Sequence, residues 1–279
     1  LLIAAMSLLS VAPASVRAQH DARFEAMQAR AIGPAGMSGR VSDVEVVLSD
    51  RSVIYVGAAT GGVFRSDDGG ITWDPIFDDQ PAIGIGHIAV FQPNPDIVWV
   101  GTGEGNPRNS AGVGGGLFKS IDGGERWSFM GFGDSERIHR VLTHPTDPDV
   151  VYVGVLGPAW SDGTERGVYR TTDGGDTWEQ VLWQNERTGV ADMVMDPSNP
   201  DKIFAAMWDF RREPWFLTSG GPGSGLFVMH DGGGLPKVID FMNIWARERD
   251  NLRALSVIRY EDMRAKTHWA CDCAEGYYC

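Results

Sequence analysis

The stretch Ser66-Asp67-Asp68-Gly69-Gly70-Ile71-Thr72-Trp73 is a short phrase that returns twice along this chain of 279 residues. It recurs as Ser120-Ile121-Asp122-Gly123-Gly124-Glu125-Arg126-Trp127 and as Thr171-Thr172-Asp173-Gly174-Gly175-Asp176-Thr177-Trp178. Asp68, Asp122 and Asp173 are spaced 54 and 51 residues apart. Spacing of this size indicates a repeated structural unit rather than a local turn.

Each phrase follows a glycine and a short alternating apolar run, which predicts a β-hairpin with the phrase as its turn. The Ser or Thr hydroxyl and the Asp carboxylate can accept hydrogen bonds from turn amides, and paired glycines permit positive φ. The tryptophan is expected to fasten the turn by burying its ring. We therefore predict a structural role for Ser66, Asp68, Gly70, Trp73, Ser120, Asp122, Gly124, Trp127, Thr171, Asp173, Gly175 and Trp178.

A second phrase, rich in Pro and Asp, repeats in register with the first and precedes an apolar strand in each unit. Examples are Pro93-Asn94-Pro95-Asp96 before Ile97-Val98-Trp99-Val100-Gly101, and Pro145-Thr146-Asp147-Pro148-Asp149 before Val150-Val151-Tyr152-Val153-Gly154. One unit thus reads as four antiparallel strands. Four strands at a period of about 50 residues predict an all-β chain, a β-propeller of four-stranded blades.

The fourth copy of the pattern departs from the others. Gly225-Leu226-Phe227-Val228-Met229-His230-Asp231-Gly232-Gly233 keeps the strand and the Asp-Gly-Gly, but has Met229 at the Ser/Thr position and Pro236 at the Trp position. We expect three complete blades and a damaged fourth. A closed propeller usually has four to eight blades, so this one is expected to be truncated.

The repeated phrases resemble the Asp-box, or BNR repeat, of sialidases, xyloglucan-degrading hydrolases and sortilin-type receptors. The stretches Ile32-Gly33-Pro34-Ala35-Gly36-Met37-Ser38-Gly39-Arg40-Val41 and Trp99-Val100-Gly101-Thr102-Gly103-Glu104 are similar to secreted bacterial proteins of the sortilin-like BNR group, often labelled glycosyl hydrolases. The resemblance covers roughly residues 30–234. It implies a propeller and sets an expectation for function.

Residues 235–279 have a different character. The pattern predicts a helix at 239–253 and a strand at 254–258, a short α/β appendage that we do not expect to fold on its own. The string Arg259-Tyr260-Glu261-Asp262-Met263 resembles part of the sulfotransferases, which makes sulfuryl transfer by this tail a minor functional alternative. The sulfate-donor phrase of those enzymes has no counterpart in the chain.

Residues 1–18 read as a signal peptide, with an apolar core at 1–11 and small residues before Gln19. We therefore predict export, to the periplasm, the cell surface or the medium, and no membrane span. Residues 19–234 form the predicted propeller. Cys271, Cys273 and Cys279 all lie in the tail, so the blades must depend on packing rather than disulfides.

The composition narrows the class of partner. A formal net charge of −13 argues against binding to nucleic acid. The sequence has no zinc-type motif and no phosphate-binding glycine loop, so we predict no metal and no cofactor. The expected partner is an extracellular peptide or polysaccharide.

The loops that join the second strand to the third lengthen unevenly, from 58–61 in the first blade to 102–115, 155–166 and 206–224 in the next three. Unequal insertions on one face of a repeat array are typical of a binding surface. Carboxylates, guanidiniums and indoles in these loops suit a carbohydrate or peptide ligand. The alternative is that the arginines pair with neighbouring carboxylates and the tryptophans pack between blades. The predicted ligand-binding residues are Arg40, Arg108, Trp160, Arg166, Trp208, Arg211, Arg212 and Trp215.

Hydrolysis of a glycoside needs two carboxylates flanking the bond, and Asp43, Glu104 and Asp192 are the candidates for such a pair. The three arginines and tyrosine nucleophile of sialidases cannot be placed in this sequence. Two hypotheses follow: an exported, non-catalytic propeller that binds peptide or glycan through the long-loop face, and a glycoside hydrolase that uses a carboxylate pair there. The sequence favours the binding module, because no catalytic signature is complete.

Overall fold

The computed structural model describes residues 40–106, 108, 110–230, 232 and 237–238. Within this part of the chain the regular secondary structure consists of β-strands, with no helix. Consistent with this, no described helix is long and apolar enough to cross a membrane. The predicted signal peptide and the predicted helix at 239–253 lie outside the described residues.

Four antiparallel sheets follow one another along the chain, and each runs in order from an inner to an outer strand. The first contains β1 (Val41–Val46), β2 (Ile54–Ala58), β3 (Gly62–Ser66) and β4 (Asp74–Pro75). The second contains β5 (Ile85–Val90), β6 (Val98–Thr102), β7 (Leu117–Ser120) and β8 (Ser128–Phe129). The third contains β9 (Ile138–Thr143), β10 (Val151–Val155), β11 (Gly167–Thr171) and β12 (Glu179–Leu182). The predicted β-propeller blades are thereby confirmed.

The fourth sheet also has four strands in blade order, although its turn lacks the Ser/Thr and the Trp. It contains β13 (Thr188–Asp196), β14 (Asn199–Arg212), β16 (Gly225–Met229) and β17 (Lys237–Val238). Strand β14 runs beyond the blade and pairs with β15 (Leu217–Ser219). Part of the long loop expected at 206–224 is therefore a hairpin that projects from the fourth blade.

The aspartate turns, which join the third and fourth strands of the first three blades, are held by hydrogen bonds within the phrase. In the second blade the Ser120 hydroxyl accepts from the amide of Gly124 (2.8 Å) and donates to Asp122 (2.8 Å). Asp122 in turn accepts from the amide of Arg126 at 2.9 Å. Gly123 and Gly124 have φ of 70° and 100°, which glycine adopts without strain. The turns of the first and third blades repeat this pattern.

The tryptophan of each phrase connects its blade to the one before. The indole nitrogen of Trp127 donates to the carbonyl of Ile76 in the first blade (2.7 Å), and that of Trp178 donates to Met130 in the second (3.0 Å). Trp73, in the first described blade, donates to Gly70 in its own turn. The large ring therefore acts between blades wherever a preceding blade is described.

A second link between blades runs from each second or third strand to the next turn. The carbonyl of Gly123 accepts from the hydroxyl of Tyr55 (3.0 Å), and that of Gly174 accepts from the ammonium of Lys119 (2.8 Å). In the fourth turn, Gly232 accepts from the hydroxyl of Tyr152 at 2.8 Å. We call these three contacts the turn-carbonyl links. They include the fourth blade, where the phrase lacks its Ser/Thr and its Trp.

Apolar cores fill the spaces between consecutive blades, so each blade depends on its neighbours. The glycine that ends each Tyr/Trp-Val-Gly strand makes room for this packing. A Cβ at Gly101 would lie 2.5 Å from Cγ2 of Ile138, on the inner strand of the third blade. Gly57 and Gly154 face Ile85 and Val190 in the same way.

The hydrogen bonds of Ser120 predict that Ser120→Ala destabilises the protein by about 1–3 kcal/mol, because buried turn amides lose their acceptor. Chemical denaturation monitored by tryptophan fluorescence measures the change. Ser128→Ala, an exposed serine on β8, is the control and should leave the midpoint unchanged. Equal effects of the two substitutions would contradict a structural role for the turn hydroxyl.

The turn-carbonyl link of the fourth blade predicts that Tyr152→Phe also costs about 1–3 kcal/mol, because the carbonyl of Gly232 is left without its buried donor. Tyr169→Phe is the matched control, since the Tyr169 hydroxyl bonds the exposed side chain of Gln180. Urea titration of both variants tests this. If Tyr152→Phe unfolds at the same urea concentration as the wild type, the link adds nothing to stability.

The turn aspartates predict an acid-sensitive contribution to stability. Hydrogen bonds from the backbone and hydroxyl of Thr72 lower the pKa of Asp68 to about 2. A lowered pKa stabilises the fold at pH values above the unfolded-state pKa of about 3.9, and this stabilisation is lost as the pH falls toward 2. The difference in Tm between the wild type and Asp68→Asn should therefore shrink between pH 5 and pH 2. A constant difference across this range would argue against the ionised hydrogen-bonded carboxylate.

Candidate functional site

The candidate site lies at the ends of the blades opposite the aspartate turns. Because neighbouring strands are antiparallel, loops from second to third strands and from one blade to the next emerge together at one end. We call this end the loop face. Its long segments are residues 103–116 in the second blade, 156–166 in the third and 213–224 in the fourth, and it also holds Arg40, just before β1.

Arg40 and Glu104 form a bidentate ion pair across the first and second blades. Nε of Arg40 donates to Oε1 of Glu104 at 2.8 Å, and Nη2 donates to Oε2 at 2.5 Å. Glu104 is fully buried. Burial alone would raise the pKa of Glu104, but the hydrogen bonds and charge of Arg40 outweigh it and hold that pKa below its usual range. Two residues predicted for different roles, catalysis and ligand binding, therefore bind each other.

The inner strands share a register shift that brings polar residues to equivalent positions. Irregular pairing occurs between Val41 and Asp43 in β1, between Ile85 and His87 in β5, and between Val190 and Asp192 in β13. In the third blade the shift falls opposite β10 and precedes Arg140. A bulge re-aims the side chains that follow it. The equivalent residues are Asp43, His87, Arg140 and Asp192.

These four residues, with His139, form the inner-strand cluster. Arg140 donates to Asp192 at 2.5 Å, and Asp43 accepts from the amide of Ile88 at 2.7 Å. Nε2 of His87 lies 3.7 Å from Oδ2 of Asp43. Burial lowers the pKa of His87 to about 4 and also lowers that of His139, so both imidazoles are neutral at pH 7.

The environments of two predicted catalytic carboxylates, Glu104 and Asp192, do not suit a general acid, which must hold a proton at the working pH. The pKa of Glu104 is lowered by Arg40. Burial would raise the pKa of Asp192, but the hydrogen bond from Arg140 outweighs burial and lowers it. Asp43 is held by the backbone of β5. All three are built into contacts between blades.

Glu165, in the loop of the third blade, has a raised pKa. Burial raises it first, and the nearby charge of Asp134 adds to the effect. Its Oε2 is buried and has no hydrogen-bond partner among the described residues. The sequence does not single out Glu165, because its environment arises from packing between two separate loops.

Arg166 lies inside the protein rather than on the loop face. It is fully buried and donates to the carbonyls of Leu156 (2.6 Å), Pro158 and Ser161 (3.1 Å). Burial lowers its pKa to about 10, so it remains charged at pH 7. Its guanidinium orders the loop of the third blade and is not available to a ligand from solution.

Other predicted ligand-binding residues contact one another or neighbouring loops. Nη2 of Arg211 lies 3.0 Å from Oδ1 of Asp162, which joins the loops of the third and fourth blades. Trp208 stacks on Phe210, with ring centroids 4.5 Å apart. Its indole nitrogen donates to the hydroxyl of Ser219 at 3.1 Å. Arg211 and Trp208 thus have partners within the protein, as the alternative from the sequence expected.

Three arginines meet at a narrow cleft between the loops of the second, third and fourth blades. Its lining is Gly105, Asn106, Arg108, Ala111, Arg137, Ala159, Phe210, Arg212 and Leu217. We call it the arginine cleft. Exposed aromatic rings stand next to it in sequence: Trp160 (45% exposed) follows Ala159, and Trp215 (78% exposed) precedes Leu217 by two residues. Arg108, Trp160 and Trp215 are the predicted ligand-binding residues with exposed side chains at this surface, and Arg212 lines the cleft.

In the described part of the chain, no group of three or more His, Cys, Asp or Glu side chains is placed to hold a metal ion. The loop face carries guanidiniums, the carboxyl group of Glu165 and exposed indoles. These groups suit recognition of a polar ligand with flat apolar faces, such as a sugar chain.

Comparison with known proteins agrees with the fold. No protein-family model matches the chain. The chain is similar to the xyloglucanase Xgh74A of Acetivibrio thermocellus, at 25% identity over 62% of this chain and 24% of that enzyme. It therefore spans about a quarter of the length of this curated relative.

Two solved structures extend the likeness. One is an ancestral GH74 enzyme, with a TM-score of 0.55, 19% identity, and coverage of 72% of this chain and 24% of that one. The other is the GH74 enzyme of Niastella koreensis, with a TM-score of 0.53, 21% identity, and coverage of 71% and 30%. At this level of identity the likeness is one of fold. It supports the β-propeller, while the narrower resemblances to sortilin-type BNR proteins and to sulfotransferases remain predictions.

Proposed function

We propose that the loop face binds polysaccharide and that the four described blades act as a binding module rather than as a complete hydrolase. The observation that carries the proposal is the pairing of Glu104 with Arg40 and of Asp192 with Arg140. Both carboxylates are ionised and neutralised by their partners, so neither can supply the proton that glycoside cleavage requires. The proposal assumes the exported location that residues 1–18 predict.

The exposed aromatic side chains support a sugar ligand rather than a small polar metabolite. Trp215 and Phe216 are 78% and 51% exposed on the hairpin of the fourth blade, and Trp160 is 45% exposed on the neighbouring loop. Large apolar side chains clustered on one surface usually mark an interaction site. Their flat rings can stack on pyranose rings, while the arginines beside them bond hydroxyl or carboxylate oxygens.

Likeness to a xyloglucanase makes xyloglucan the first neutral polysaccharide to test. The xyloglucanase is a much longer protein, so its activity does not transfer to these blades without experiment. A soluble β-glucan without side chains serves as the comparison ligand. An acidic polysaccharide is tested as a third ligand, because guanidiniums line the arginine cleft.

The proposal predicts that the whole chain is retarded in affinity gels that contain a polysaccharide ligand, and that Trp215→Ala weakens this binding about tenfold, the loss expected for a stacked aromatic anchor. Ile71→Ala is the matched control, because Ile71 is 82% exposed on the opposite, aspartate-turn end. Peptides should not compete. Binding that survives Trp215→Ala unchanged, or that Ile71→Ala weakens equally, would place the ligand elsewhere.

A glycoside hydrolase is the second candidate, and the raised pKa of Glu165 favours it. A general acid needs such a pKa, and Asp134 nearby is a second carboxylate. Release of reducing ends from xyloglucan, measured with the wild type and Glu165→Gln, decides between the two functions. Activity lost in Glu165→Gln would establish the hydrolase, and binding without product would establish the binding module.

A further inference from the structure

The first blade exposes apolar side chains that the later blades bury. On the inner strands of those later blades, Ile88, Val141 and Met193 are at most 4% exposed, because each packs against the preceding blade. Val44 holds the same place in β1 and is 52% exposed. Terminal repeats of an array usually carry a polar outer face, so apolar exposure here marks an interaction surface. The first-blade open face comprises Val44, Val46 and Ile54, which lie on one side of β1 and β2.

The fourth blade is open on its opposite side. Tyr55 and Tyr152, on the second strands of the first and third blades, are 1% exposed, because each packs into the core shared with the next blade. Phe204 takes their place in β14 and is only half-buried, and its cross-strand partner Val194 is 58% exposed. The fourth-blade open face comprises Val194, Phe204 and Leu226. Since Val44 and Val194 are both exposed, the first and fourth blades do not close on each other within one chain.

The first turn carries the acceptor half of a further turn-carbonyl link. Gly123, Gly174 and Gly232, whose carbonyls are bound by the preceding blade, are buried, whereas Gly69 is exposed. A Cβ at Gly69 would meet no described atom within 4 Å, while one at Gly174 would lie 3.2 Å from Nζ of Lys119. Gly69 has the same left-handed conformation as the other three, with φ of 74°. Its carbonyl is therefore formed for a donor that lies outside the first blade.

The fourth blade carries the donor half. In each of the first three blades a cation lies over the aromatic ring of the second strand, and either that cation or the hydroxyl of the ring binds the next turn. The fourth blade keeps this pair, since the ammonium of Lys202 lies 5.0 Å from the ring centroid of Phe204. Nζ of Lys202 also lies 3.5 Å from Oδ2 of Asp196, which leaves donor capacity for a carbonyl.

We propose that the fourth-blade open face of one chain packs against the first-blade open face of a second copy, with the ammonium of Lys202 donating to the carbonyl of Gly69 in that copy. The contact repeats the packing and the link that join consecutive blades within the chain, which favours another blade of this kind as the occupant. Each chain carries one face of each type, so a second copy supplies both complements.

The proposed interface is heterologous, because the two surfaces differ. Two copies together hold eight described blades, which lies within the range of closed propellers, so a closed dimer is the expected product. This inference is independent of the proposed function, because the open faces are distinct from the loop face.

Sedimentation velocity of the whole chain, without ligand, at concentrations from about 1 to about 100 μM tests the association. The monomer should give way to a dimer as the concentration rises. A chain that remains monomeric at the highest concentration would mean that no second copy covers the open faces, and the inference would be wrong.

Charged substitutions test each face. Val44→Glu and Val194→Glu each place an unpaired carboxylate in the proposed contact, and each alone should weaken association about tenfold or more. Both valines are more than half exposed, so the fold should be retained, and thermal unfolding is measured alongside. Ile121→Glu is the matched control, because Ile121 is 72% exposed on the turn of the second blade and should not affect association.

A mixture of the two variants distinguishes head-to-tail pairing from other association. Val44→Glu keeps an intact fourth-blade open face and Val194→Glu an intact first-blade open face, so an equimolar mixture can form one proper contact and should regain the dimer. Pairing of like faces predicts instead that one variant still dimerises by itself. That result, or association that neither substitution weakens, overturns the inference.

The link between copies has its own test. Lys202→Met keeps the apolar stem but removes the ammonium, and should weaken association about tenfold, the effect of a hydrogen bond from a charged donor. Lys202→Arg keeps a charged donor and should preserve the dimer. Equal association of wild type and Lys202→Met would contradict the proposed bond to Gly69.

Discussion

The structure depends on the contact between one blade and the turn of the next. Two consecutive glycines in left-handed conformations turn a carbonyl outward, and the preceding blade supplies a hydroxyl or an ammonium to bind it. A single blade cannot bury both of its faces, so these links and the apolar cores beside them must form together. The fourth blade shows which part of the phrase matters most for docking. There Met229 replaces the Ser or Thr, yet Tyr152 still donates to Gly232.

The same repetition explains the polar residues at the inner strands. Each inner strand carries a register shift at an equivalent point, and the residue after the shift is Asp43, His87, Arg140 or Asp192. Neighbouring inner strands then place Asp43 next to His87 and Arg140 next to Asp192. In the fold these residues contact one another between neighbouring blades. Arg140 and Asp192 form an ion pair at this position, whereas His87 is neutral at pH 7 beside Asp43.

Local chemistry made the blades predictable, because strand alternation and the Asp-Gly-Gly turns act within a few residues of one another. The site was less predictable because its contacts are long-range. Glu104 meets an arginine 64 positions earlier in the chain, and nothing near Glu104 in sequence reveals that partner. Arg166 was expected at the surface, but three carbonyls of its own loop bind it inside. The raised pKa of Glu165 likewise comes from packing against a loop that the sequence does not connect to it.

The buried polar groups also bear on how the loop face can recognise a ligand. Arg166 fixes the loop of the third blade, and Thr102 fixes that of the second by donating to Gly116 and accepting from Gly115. Loops held in this way present their outer side chains from a rigid base, so little ordering is needed when a ligand binds. Rigidity favours selectivity over adaptability, because a rigid surface cannot adjust to a poorly matched ligand. Under the proposed function, loops fixed in this way present a preformed surface, which selects ligands whose shape already matches it.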